Sequence, residues 1–238
     1  MRIGIFGDIQ GYFGPTNQLL IDYFADLVAT LDCDFFLQTG DMCHYRSFAR
    51  PVYWIYGNND WPPVIREIAE GRRDITNLHH LPTGQIVTLQ RGEECVRVSG
   101  LNGAFEEIYY HARPGEYPAY ELAGYFQASD IEACLALAGE SIDIFLTHGC
   151  PAGLGLGREP DHAVPVIREL LDRLQPRYLF CGHAHFFRCL RYGPSTVCSL
   201  APLEEEFYLL DTQTDQLERV KSRPLPELHP YRQAGKGR

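Results

Sequence analysis

In chain order, the residues best suited to holding a divalent cation fall in five short clusters: Asp8 and Gln10 in GDIQG, Asp41 in GDM, Asn58, Asn59 and Asp60 in GNND, His148 in THG, and His183 with His185 in GHAH. Carboxylate, amide and imidazole donors make a hard-to-borderline ligand set, fit for Mn, Fe, Zn or Ni rather than for thiolate-preferring ions. Side chains at i and i+2 of an extended segment point the same way, so Asp8 with Gln10, and His183 with His185, can each offer two ligands to one cavity. Any one cluster alone reads as a turn, since a Gly-Asp after a strand serves that purpose more often than it binds metal. Five together point to a dinuclear metal centre.

The elements that must position these groups are visible just before them. Each cluster ends a short apolar run: RIGIFG (2–7), DFFLQTGD (34–41), PVYWIYGNND (51–60), SIDIFLTHG (141–149) and RYLFCGHAHF (177–186). Such runs read as buried parallel strands, and open α/β sheets collect their sites at the carboxyl ends of their strands. Leu20, Tyr23, Phe24, Leu27, Val28 and Leu31 recur at helical spacing behind a Thr16 or Asn17 cap. Further helices are expected over 62–71, 129–138 and 162–174, with short strands between 77 and 103 and three closing β runs at 187–193, 195–201 and 207–212. The Tyr- and Pro-rich segment 106–126 has no period and reads as a surface excursion over the cleft. The βαβα beginning and β-rich second half predict one α/β domain over 1–222, two sheets face to face with helices outside, and a loosely ordered tail over 223–238.

Composition bounds the partners. With 31 acidic against 21 basic residues the net charge is -10, which opposes a long nucleic acid or an anionic membrane lying across the surface. A small phosphate ester needs only local positive charge, which bound cations supply. The 8 cysteines form no CxxC pair and several lie in apolar runs, so they are expected to be reduced. No stretch reaches the length of a membrane span and MRIGIFGDIQ has no signal-peptide design, so a cytoplasmic protein is expected.

The series GD-x-Q, GD, GNND, THG, GHAH resembles the calcineurin-like metallophosphoesterase superfamily, whose pattern runs D-x-H, GD, GNH-D/E, H and GH-x-H, and the likeness covers residues 1 to about 212. The resemblance implies a four-layer α/β/β/α sandwich with two mixed sheets, two divalent ions, and hydrolysis of phosphate esters by metal-activated hydroxide. Matched position by position, it gives Asp8, Gln10 and His185 to one metal, Asn58, His148 and His183 to the other, and Asp41 to both. Asn59 and Asp60 take the catalytic positions, and His44 and Arg46 lie close enough in sequence to reach a substrate phosphate. Two residues depart from the pattern. Gln10 replaces an imidazole with a weaker amide oxygen, and Asn59 replaces a histidine with a group that donates a hydrogen bond but is no general acid near neutral pH. These departures favour a phosphodiesterase acting on a small-molecule or nucleotide ester. The alternative they raise is a scaffold that keeps the fold for protein interaction.

Overall fold

A computed structural model describes residues 1–10, 12–13, 18–113, 115–118, 122–157 and 163–223, with side chains left out of account at 12, 13, 18 and 19. The expected tail beyond Arg223 and the Thr16 or Asn17 cap lie outside the described residues.

Two six-stranded sheets carry the fold. The first has the order β14 (Gln216–Lys221), β13 (Glu206–Asp211), β1 (Arg2–Phe6), β4 (Phe35–Gln38), β5 (Val52–Trp54), β6 (Leu78–His80). The second runs β11 (Arg188–Tyr192), β12 (Ser195–Ser199), β10 (Tyr178–Cys181), β9 (Ile144–Thr147), β8 (Glu94–Leu101), β7 (Val87–Arg91). A two-stranded ribbon, β2 (Tyr12–Phe13) and β3 (Gln18–Leu19), stands apart. The centre of each sheet is parallel: β1, β4, β5 and β6 in the first, β12, β10, β9 and β8 in the second. The antiparallel strands β13 and β14 complete one side of the first sheet, and β11 and β7 close the two edges of the second.

Period-two alternation sorts side chains between layers. Ile3, Ile5, Leu37, Ile144, Leu146 and Phe180 meet in the core between the sheets. Their neighbours face outward. Phe6, Phe36 and Trp54 pack on α1 (Leu20–Thr30) and α2 (Pro62–Ala69), through Phe24, Val28 and Ile65. Phe145, Leu179 and Val197 pack on α4 (Ala128–Leu135) and α5 (Pro165–Leu174), through Ile131, Ile167 and Leu171. A strand buried on both faces must be apolar throughout, which is why these strands read as unbroken runs. The result is the expected four-layer arrangement. A one-turn helix, α3 (Glu107–Tyr110), falls in the segment expected to be irregular, and Phe126 at the far end of that segment is buried.

Two expectations need correction, the closing strands and the cysteines. The strand β14 adds to the three closing β runs: QLERVK is an edge strand with mostly exposed side chains and lacks an apolar run. The chain also returns to the first sheet at β13, so its β-rich end is shared between the sheets. Finally, the cysteines are not all reduced. Cys189 and Cys198 lie directly opposite on β11 and β12, Cα atoms 4.1 Å apart, and form a disulfide. Hairpin register brings them together, which a search for CxxC spacing cannot see. No helix among the described residues is long and apolar enough to cross a membrane.

Candidate metal centre

All five clusters emerge at the carboxyl ends of parallel strands: Asp8 after β1, Asp41 after β4, Asn58 after β5, His148 after β9 and His183 after β10. Since the sheets pack face to face, these ends converge. One ligand atom each from Asp8, Asp41 and His148 lie within 4.8 Å of one another, and all three residues are buried. His148 Nε2 is 3.5 Å from Asp41 Oδ2, 3.2 Å from Asn58 Oδ1 and 3.2 Å from His183 Nδ1. On the other side His185 Nε2 is 2.5 Å from Asp8 Oδ2, while the His183 N–H donates to Asp8 Oδ1 at 3.1 Å. These contacts join His185 to Asp8, and Asn58 and His183 to His148, while Asp41 lies within 4.8 Å of both Asp8 and His148.

The backbone holding these groups is unusual. Asp41, His183 and His185 have φ of 58°, 60° and 57°, a left-handed conformation that non-glycine residues seldom adopt. Such strain persists only where surrounding structure enforces it and clusters at functional sites. It also corrects the picture of GHAH as an extended end: the Ala184 N–H donates to Gly182 O at 2.6 Å, closing a tight turn centred on His183. The two histidines reach the site through left-handed turns and not through strand alternation. Glycines make room for this crowding. A Cβ at Gly57 would sit 2.3 Å from Asp41 Oδ1 and 2.7 Å from His148 Nε2, and one at Gly182 would sit 2.5 Å from Asp8 Oδ1. Neither position tolerates any side chain while the groups stay where they are.

Charge follows from contact. Burial opposes a charge on His148, but the Asp41 carboxylate beside it raises the imidazole to about 10. Burial likewise works against the Asp41 anion, and the His148 ring together with Asn59 outweighs it, holding the carboxyl well below its ordinary range. Burial and the neighbouring His148 lower His183, which leaves that ring neutral and able to ligate. The Nδ1 of His148 lies 2.9 Å from Thr39 O, a contact that directs Nε2 toward the site. Sequence reasoning missed Thr39, which acts through its backbone carbonyl and so leaves no signal in its residue type.

The remaining candidates divide. Asn59 is exposed, and its backbone and side-chain N–H groups donate to Asp41 Oδ1 at 2.9 Å and Oδ2 at 2.7 Å. Asp60 is buried, with both oxygens occupied. Oδ2 accepts from the N–H of Asp41 (2.8 Å) and Gly57 (2.9 Å), and Oδ1 from the Cys43 N–H and the Tyr45 hydroxyl (both 2.8 Å). Its geometry ties the GDM and GNND loops together. Gln10 is half-buried, with its side-chain oxygen 4.0 Å from the Cys43 thiol. Arg46 is exposed and pairs with Asp22 on α1. The N–H of His44 donates to Met42 O in a tight turn, and its half-buried ring is not one of the three tightly grouped ligands.

Two buried carboxylates flanked by three imidazoles and an amide oxygen, at strand ends far apart in sequence, form a donor set that divalent cations fit. The sequence matches the calcineurin-like phosphoesterase family over residues 1–187. The chain belongs to the calcineurin-like phosphoesterase family. Among its curated relatives, a lariat debranching enzyme of Arabidopsis thaliana is 27% identical over 167 residues, covering 60% of this chain and 39% of that protein. A lariat debranching enzyme of Mus musculus is 26% identical over 200 residues, covering 71% of this chain and 36% of that protein. This phosphoesterase-family chain thus spans less than two fifths of the length of these relatives. The fold is also that of the protein TT1561 of Thermus thermophilus, with a TM-score of 0.63 at 18% identity, covering 93% of this chain and 99% of that one. The Asp8–Asp41–His148 group is a fitting metal site for a member of this family.

Proposed function

We propose that the protein is a phosphodiesterase with a dinuclear metal centre, acting on a small-molecule or nucleotide phosphate ester. The observation that carries this reading is the pairing of ligands into two sets, His185 against Asp8 at 2.5 Å and His148 between Asn58 and His183 at 3.2 Å from each. In this reading Asp8 and His185, with Gln10, hold one ion, Asn58, His148 and His183 hold the other, and Asp41 serves both. Mn, Fe, Zn and Ni all suit such donors. When bound, divalent ions neutralise phosphoryl oxygens and make water a competent nucleophile near neutral pH.

The chain's own groups complete the chemistry. Thr39 O orients His148, and Asn59 clamps Asp41 as an anion through two hydrogen bonds. Asn59 keeps a second amide hydrogen for a substrate oxygen but cannot protonate a leaving group. Leaving groups that need no proton are therefore favoured, and a diester, with one negative charge fewer than a monoester, is the easier ester for a carboxylate-lined site. Asp60 acts as a positioning residue through the two loops it ties. Arg46, held by Asp22, contributes at most on release from that pair. Small esters remain the expected substrates of this acidic chain, and the debranching named for its relatives is consistent with diester cleavage.

The test is hydrolysis of bis-p-nitrophenyl phosphate and of p-nitrophenyl phosphate by metal-stripped protein given Mn, Ni, Fe or Zn singly. Diester turnover above monoester turnover, with two ions per chain by elemental analysis, is expected. An absence of both turnover and bound metal would refute the proposal and favour the interaction scaffold.

A further inference from the structure

Next to the metal centre a cavity of about 610 Å³ opens, lined by Asn58, Trp61, Pro62, Pro63, Arg66 and Ala123 among others. Its volume is that of a small-ligand site. Asn58 joins it to the centre, since Asn58 Oδ1 lies 3.2 Å from His148 Nε2. Trp61 is 65% exposed, one of two large hydrophobic residues so exposed among the described residues. An exposed indole costs hydrophobic free energy unless something covers it.

Trp61 is nevertheless held firmly at its backbone. Its N–H donates to the Tyr45 hydroxyl at 2.9 Å, and that hydroxyl is itself bound to Asp60. Pro62 and Pro63 occupy the first turn of α2 and fix the chain just beyond it. A rigid backbone with a free aromatic face loses little entropy when a flat ring stacks on it.

Arg66 lies one turn further along α2 and is exposed. The helix's own acids do not reach it: Glu67 pairs with Arg73, and Glu70 with Arg72. Among the described residues Arg66 has no carboxylate partner. Asp60, which also lines the cavity, has both oxygens occupied by four donors. In a chain of net charge -10, this places a guanidinium that has no carboxylate partner among the described residues beside an exposed indole at the edge of the candidate metal centre.

We propose that this cavity is a subsite for a nucleoside phosphate: the Trp61 indole stacks on the base, and Arg66 binds a phosphate other than the one being cleaved. A guanidinium offers phosphate two parallel donors, and an aromatic side chain accepts any base because every base has a π-face. The inference rests on the phosphodiesterase reading for its biological use, but ring and anion binding are measurable without turnover. It selects nucleotides over the other small esters that the metal centre alone would admit.

The test uses the full chain and calorimetric titration with adenosine 5′-(α,β-methylene)diphosphate, which resists hydrolysis, and with methylenediphosphonate, which has the anions but no ring. Wild-type protein is expected to bind the nucleoside compound about tenfold or more tightly than the ringless one, the range given by single base-aromatic stacks. Trp61→Ala should abolish that preference and Trp61→Phe should restore most of it, while Arg66→Gln should weaken both compounds. In parallel, the kcat/KM ratio of thymidine 5′-(p-nitrophenyl phosphate) to methyl p-nitrophenyl phosphate should collapse in Trp61→Ala through a rise in KM. Equal binding of the two compounds by wild-type protein, or a preference that survives Trp61→Ala, would overturn the subsite. Turnover of the activated esters in that case leaves the phosphodiesterase reading standing. Ring-dependent binding without turnover of any ester leaves the subsite standing and removes the phosphodiesterase.

Discussion

Replacing Asp60 by Asn tests whether the centre is held by one buried carboxylate. Asp60 accepts four hydrogen bonds: Asp41 and Gly57 N–H on Oδ2, Cys43 N–H and the Tyr45 hydroxyl on Oδ1. Asn has a single acceptor oxygen, so one of these two pairs must face an NH2 group. The milder orientation turns the NH2 toward Oδ1's partners, where the Tyr45 hydroxyl can rotate to accept and only the Cys43 N–H is left unpaired. That orphaned donor costs roughly 1–3 kcal/mol, and the other bonds lose the strengthening a charged acceptor provides. Burial raises the Asp60 carboxyl above its ordinary value against the pull of these donors, so removing the charge returns part of the loss. The net expectation is destabilisation by about 2–4 kcal/mol, seen as a fall of about 10 °C in Tm for a chain of this size. Urea unfolding followed by tryptophan fluorescence measures the first quantity and calorimetry the second. Metal content should fall with stability, because Asp60 joins the loop of Asp41 to the loop of Asn58. A loss below about 1 kcal/mol with unchanged metal content would show that the loops hold themselves and that Asp60 is not their tie.

Gln10→His should raise occupancy of the Asp8–His185 position by supplying an imidazole, read as metal per chain after dialysis at limiting metal. Unchanged stoichiometry would place Gln10 outside the ligand set. In metal-stripped protein His148 titrates at about 10 against an ordinary 6.5, so its contribution to stability is full below 6.5 and lost as pH rises through about 10. Tm without metal should therefore decline across that window, and His148→Asn should flatten the decline; a wild-type profile no steeper than the variant's would contradict the charged Asp41–His148 pair. The same charge requires metal binding at pH 7.5 to release close to one proton from His148. Titration in buffers of different ionisation enthalpy counts it, and no release would mean that the ring is already neutral.

Much of this protein is written locally. Apolar runs such as RIGIF, FFLQ and YLFC must be buried on both faces, so they announce parallel central strands, and the polar residues that end them announce where a site forms. Asp8, Asp41, Asn58, His148, His183 and His185 are legible for that reason, as are the layers around them. What local sequence does not contain is which distant pieces meet. QLERVK has no apolar run, and its place as an edge strand comes from the register of β13. Cys189 and Cys198 become partners only through a hairpin. His183 and His185 turn inward by left-handed backbone that no pattern of residue types foretells. The pairing of His185 with Asp8, the capture of Asp60 by four donors, and the indole of Trp61 left bare beside Arg66 all depend on contacts between segments remote in sequence. Residue type fixes what a side chain can do, and only the packing of the two sheets decides what it meets.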